Sequence, residues 1–213
     1  MSVLADSFNQ IMRWLEENRP DYAASFLPGL SDEEIREKLA NVELELPEEI
    51  YELYRWRNGV EGGEDLKSVV YPSMEFMPLD EAIEYYEDFV ENSINLLDER
   101  DEDCQDVFKL LDVSQVNIYG NKLIFPFSRS NCSFCAVLLS KEQQQRSIII
   151  DIADELGLSV IYRNLTSMTQ TLAEYLETGA YYLDEQQEYY LNGDEEKMLP
   201  IFKKYNPGLS LIG

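Results

Sequence analysis

Between Lys122 and Asn164 the hydrophobic pattern of this chain stops following a helical period. Four short runs rich in β-branched and aromatic residues follow one another, "KLIFPFS", "SFCAVLLS", "SIIIDI" and "LSVIYRN", separated only by "RSN", "KEQQQR" and "DELG". Linkers this short join neighbouring strands as hairpins, so the block predicts an antiparallel meander. On either side the period is helical. Leu4, Phe8, Ile11, Met12 and Leu15 make one apolar stripe, and Leu165, Met168, Leu172, Tyr175 and Leu176 make another, ending near Gly179. The expected class is α+β: a mainly antiparallel sheet, drawn from about residues 69 to 77 and 122 to 162, covered by several helices. Chief among these helices are the segments from Leu46 to Asn58 and from Leu165 to Glu177. Residues 1–180 are read as one domain with its core at about 25–180, and residues 181–213 as a C-terminal helical extension packed on it.

The helices are marked by recognisable starts and stops. After a turn at Pro28-Gly29, Ser31 and Glu34 have the spacing of a capping box, which opens a short helix running through Leu39. In "LELPEEIYELYRWRNGVEGG", Pro47 stands where a first turn tolerates a missing amide and Glu48 and Glu49 favour the positive end of the helix dipole. Ile50, Leu53 and Tyr54 form the core stripe, and Gly59, preceded by Asn58, is expected to end the helix in the left-handed conformation. "VVYPSMEFMPL" reads as extended, with Pro72 confining it to an edge or a bulge. Asp80 is expected to cap the next helix, whose inward face is Ala82, Ile83, Tyr86, Phe89 and Val90.

Charge and residue content narrow the function. Forty-two acidic residues against 17 basic ones give a formal net charge of -25, which repels nucleic acid phosphates and anionic headgroups and attracts basic surfaces. Histidine is absent, which removes the usual general base near neutral pH, the Ser-His and Cys-His nucleophile pairs and the commonest metal ligand. With so many carboxylates, a pair at a suggestive spacing is ordinarily a solvated face. The three cysteines suit a reducing compartment, and the N-terminus lacks the pattern of a signal peptide. The longest apolar runs, "AVLL" and "SIII", are too short to span a bilayer, so the expectation is a soluble cytoplasmic protein.

The motifs that could carry chemistry do not complete themselves. Cys132 and Cys135 form a CxxC, but only Cys104 remains to complete a zinc site, and the pair leads into a strand rather than opening a redox helix. "DERDEDCQD" lacks the glycine and the alternation of an EF-hand loop, and Gly62-Gly63 is not followed by the Lys or Thr of a phosphate loop. An exposed Trp56 beside Arg55 or Arg57 would make a ligand patch, although the ordinary fate of such an aromatic is to pack against the sheet. No catalytic, metal-binding or cofactor-binding residue is assigned.

Two segments, "FLPGLSDEEI" and "LPEEIYELYRWRNG", resemble the signature of the SUKH superfamily, the SMI/KNR family, at Leu46, Pro47, Leu53, Tyr54, Asn58 and Gly59. The order of the later segments is similar too: "MEFMPLDEAI", "LIFPFS", a hairpin, and a last amphipathic helix ending in "LAEYLETGAYY", over roughly residues 25 to 180. Leu123 to Phe125 stand where relatives often have a Trp before the strand proline, and "SRSN" stands in place of a glycine-rich turn, so no ligand role is carried over to that turn. The acidic insert before Val107 and the tail after Tyr182 lie outside the common pattern.

The resemblance implies an α+β fold without catalytic apparatus. In bacteria such domains serve largely as immunity proteins that neutralise cognate toxins, often nucleases, and in fungi as a regulatory module of cell-wall synthesis. The expectation is therefore a protein-binding module whose partner is a basic toxin or nuclease domain. A regulatory adaptor is the alternative, and a carboxylate- or metal-dependent enzyme a second one. Twelve acids against the single base Arg100 between Asp80 and Asp106 make Asp98, Glu99, Asp101, Glu102 and Asp103 the candidate partner contacts. Trp56 and the pairs Tyr181-Tyr182 and Tyr189-Tyr190 are the candidate apolar contacts.

Overall fold

The computed structural model describes residues 2–42, 45–61, 74–91, 123–130, 133–139, 147–153, 157–183 and 191–211. Among them, five strands form an antiparallel sheet in the order β3 (Glu75–Phe76), β4 (Ile124–Arg129), β5 (Ser133–Leu138), β6 (Ile148–Ala153) and β7 (Gly157–Tyr162). From β4 to β7 each strand neighbours the next in sequence, as the short linkers demand, whereas β3 and β4 are separated by α5. Both faces of the sheet are buried, which is why these strands read as continuous apolar runs rather than alternating ones. Phe125, Phe127, Cys135, Val137, Ile149 and Ile161 join the main core, whereas Ile124, Ala136, Leu138, Ile150 and Ile152 form a second cluster with Phe89. Pro126 interrupts the amide ladder of β4 beside a register shift, and the two-residue β3 pairs only with Ser128 and Arg129.

The helical layer is built around α6 (Leu165–Thr178). Against it lie α1 (Val3–Asn18), α4 (Glu48–Trp56) and α7 (Glu195–Tyr205), while α6 itself contacts β6 and β7. Helix α5 (Leu79–Glu91) covers β4, and α4 reaches the sheet through Tyr54, whose ring lies 5.6 Å from that of Phe76. The short α2 (Pro20–Ala24) follows α1 at Pro20, and α3 (Asp32–Lys38) opens with the Ser31–Glu34 capping box. Leu4, Phe8 and Leu15 from α1 and Phe202 from α7 share one core with the sheet.

Several local expectations need correction. Helix α4 ends at Trp56 because Arg57 is extended, with φ -151°, and Gly59 does not cap it. Gly59 instead lies in β2 (Arg57–Val60), which pairs with β1 (Phe26–Pro28). Its φ of +81° is left-handed, and a Cβ there would stand 2.3 Å from the Pro78 nitrogen. Glycine is required at that position on both counts.

Asp80 does not cap α5 either. The Leu79 amide donates to Asn58 Oδ1 at 2.9 Å, and Asp80 lies within the helix, where it pairs with Lys38 at 2.7 Å. The C-terminal segment, expected as helix, also contains a strand pair, β8 (Tyr181–Leu183) with β9 (Leu191–Gly193), before α7. Pro72 and its surroundings lie outside the described residues.

Candidate functional site

Residues 46 to 60, the densest signature in the sequence, have their polar groups turned to structural use. The four leading amides of a helix lack internal acceptors, and a carboxylate beside them also matches the positive end of the dipole. Glu49 on α4 fills this role for α6: its carboxylate accepts from the Thr166 amide at 3.0 Å and from the Thr166 and Ser147 hydroxyls. Ser147 in turn accepts from the Leu165 amide at 3.2 Å. Asn58 performs the same service for α5. Arg55 is held by Asp32 at 2.9 Å and by Glu48. Residues of α4 and β2 thus fix the starts of two helices distant in sequence.

Trp56 is half-buried. Its indole stacks on Phe8 with the ring centroids 4.5 Å apart and the planes 7° from parallel, and it tilts against Phe26 at 5.5 Å. The Arg57 guanidinium sits 5.8 Å from the same ring and donates to the Trp56 carbonyl at 2.8 Å. One face of the indole is therefore committed to α1. The other proposed contacts, Asp98, Glu99, Asp101, Glu102 and Asp103, lie outside the described residues and are not brought to Trp56 by anything described.

Cys135 is fully buried in β5, opposite Asp151 of β6. Burial pushes its thiol well above the ordinary range and the Asp151 charge adds to this, so Cys135 is a poor nucleophile. Cys132 lies outside the described residues. The tyrosine pair of β8 is divided by the two-residue period of a strand. Tyr181 turns inward, 4.9 Å from the Tyr175 ring, with its hydroxyl pushed up to about 12 by burial, while Tyr182 remains 47% exposed. Tyr189 and Tyr190 lie outside the described residues.

A face that the sequence reasoning missed runs along α1 and α6. Asp6 and Gln10 on α1 oppose Gln170, Glu174 and Glu177 on α6 across a cavity of about 260 Å³. At one end Val3 is 55% exposed. Glu174 accepts from Lys204 Nζ and from the Tyr205 hydroxyl, both at 2.5 Å, and these bonds hold its carboxyl below the usual range. Side chains three and four positions apart share a helix face, so the spacings 6/10 and 170/174/177 announce two polar stripes. That the stripes face one another is a tertiary fact. Three carboxylates beside an exposed valine can receive a basic, partly apolar surface.

Among the described residues, no group of three or more Cys, Asp or Glu is arranged to hold a metal ion, and no helix is long and apolar enough to cross a membrane. Residues 29–178 match the SMI1 / KNR4 family (SUKH-1). No curated protein matches the chain. The matched span holds α3 to α6 and the five-stranded sheet, and leaves out α1, α2, β1, β8, β9 and α7.

Proposed function

The chain belongs to the SMI1 / KNR4 family (SUKH-1), and from that premise we propose that it is a non-enzymatic protein-binding module, in concrete terms a bacterial immunity protein. Its partner on this reading is a cognate toxin with a basic surface, in the first place a nuclease, met in the cytoplasm. The observation that carries the proposal is a formal net charge of -25 on a family fold used for binding. A small soluble domain manages with a magnitude of about 2 to 8. A nuclease must present Lys and Arg to phosphates, so an acidic protein of suitable shape can occupy that same face and exclude the nucleic acid. Long-range attraction speeds the encounter, and a few buried aromatic or apolar contacts fix the register.

Asp98, Glu99, Asp101, Glu102 and Asp103 supply the steering charge on this reading, and the accessible part of Trp56 and the exposed Tyr182 supply the apolar contacts. The acids between α1 and α6 extend the same field. The test is coexpression with the product of the adjacent reading frame. A neighbour that arrests growth alone, and not together with this protein, is the expected result. A neighbour whose toxicity is unchanged by an intact, expressed partner contradicts the reading. A defect in wall synthesis on deletion, with no toxin in the neighbourhood, would instead assign the regulatory adaptor role.

A further inference from the structure

A second cavity, with a volume of about 690 Å³, lies on the other side of Tyr205, between the start of α6, the end of α7 and the C-terminal tail. Pockets that hold organic ligands span about 300–1,000 Å³ and combine an apolar body with a few placed polar groups. Ile148 and Val160, from the outer face of β6 and β7, and Leu209 from the tail give this cavity its apolar surface. Its charged lining consists of Arg163 and Lys204, with no carboxylate among the described residues that line it. In a protein of net charge -25 that sign is opposite to the rest.

The tail that forms one wall is fastened in place. Asn206 is fully buried: its amide nitrogen donates to Thr171 Oγ1 at 3.0 Å, and its oxygen accepts from the Arg163 amide at 3.2 Å. Gly208, with φ +92°, turns the chain beyond it, a conformation few other residues adopt without strain. The Arg163 guanidinium donates to the Pro207 carbonyl at 3.3 Å, a contact that engages one nitrogen and leaves the rest of the fork for a ligand. The leading amides of α6 are not available, since Glu49 takes that of Thr166 and Asn164 that of Ser167. Recognition of an anion here falls to side chains.

We propose that this cavity binds an apolar carboxylate, with its hydrocarbon body against Ile148, Val160 and Leu209 and its carboxylate between Arg163 and Lys204. A planar carboxylate matches the guanidinium fork, and a single negative charge is the most that the surrounding acidic field favours. Lys204 is shared with Glu174, which lines the neighbouring cavity rather than this one, so the ligand competes with Glu174 for that ammonium. The same chemistry is offered by a free medium-chain organic acid and by the C-terminal carboxylate of a peptide ending in leucine.

The two sources are separated by titrating the full chain, followed by amide NMR, with octanoate, with N-acetyl-Ser-Leu-Leu, and with the same peptide as its C-terminal amide. Carboxylate-dependent shifts at Arg163, Gln170 and Leu209, with little response to the amide, are expected at ligand concentrations up to about 10 mM. Arg163→Gln and, separately, Lys204→Gln should each weaken the effect by roughly tenfold with melting unchanged. Tighter binding of octanoate assigns a free acid, and tighter binding of the peptide a chain terminus. Equal binding of the peptide amide, unaltered binding by both variants, or no shift with any ligand would overturn the proposal.

Discussion

Residues 46 to 60 and the face made by α1, α6 and α7 differ in what their polar side chains are bonded to. In the first, Glu49 and Asn58 cap helices that begin 116 and 21 residues further on, and Arg55 bridges two acids. In the second, Asp6, Gln10, Glu174 and Glu177 line one cavity while Arg163 and Lys204 line another. The lesson is that dense sequence punctuation marks a fold constraint here, and that surface chemistry sits on stripes with little punctuation. Substitutions of the bonded polar side chains in the first region should therefore register in stability, and substitutions of the cavity-lining charges in the second in binding.

The largest expected effect is Leu53→Ala. This side chain is 0% exposed in the main core, so its truncation should lower stability by about 2–5 kcal/mol, read from chemical denaturation. A change no greater than that of an exposed substitution would remove α4 from the core. Next comes Asn206→Ala, which leaves the Arg163 amide without its side-chain acceptor and Thr171 Oγ1 with only its bond to the Ser167 carbonyl, and should cost about 1–3 kcal/mol. One cooperative transition, shifted as a whole, is expected. A wild-type transition for residues 1–180 with only the tail loosened would make the C-terminal extension an independent appendage and sharpen the division at about residue 180.

Asn58→Ala removes the acceptor of the Leu79 amide, and a lost helix cap costs about 1 kcal/mol. Partner binding should be unchanged, because the group faces α5. Asp151 tests the sheet beneath both regions. Burial raises its carboxyl above the ordinary carboxylate range, only partly opposed by a hydrogen bond from the Ile152 amide. Its contribution is thus present below the unfolded value and is lost as the pH rises through the higher folded one. Asp151→Asn should be more stable than the wild type near pH 7, and the difference should shrink toward about pH 4. A difference independent of pH between those limits would show that Asp151 titrates normally.

Much of the fold was legible in the sequence because its elements are long or continuous. The runs in β4 to β7 had no helical period to compete with them, and α1, α4 and α6 had clear apolar stripes. The parts that escaped are short or distant. Strands β1, β2, β8 and β9 have three or four residues each, too few to show a period, and Tyr181-Tyr182 looked like a surface pair until the strand divided it. Gly59 was read as a helix stop because Asn-Gly is a local signal, whereas the Met77–Pro78 backbone against which it packs is a tertiary one. Of the surface, the excess of acid and the separate polar spacings on α1 and α6 were legible. Neither the pairing of α1 with α6 nor the two cavities leave a trace in local spacing.

The claim that charge on the surface, rather than the signature segment, governs partner encounter is tested most directly by stopped-flow association with the proposed toxin partner at low ionic strength. Wild type is compared with the protein in which Asp98, Glu99, Asp101, Glu102 and Asp103 are changed to their amides. Slower association of the neutralised protein is expected, a difference that narrows as salt screens the field over a Debye length of about 10 Å at 0.1 M, with nearly unchanged melting. Equal association rates for the two proteins at low salt would contradict it and place the binding face elsewhere.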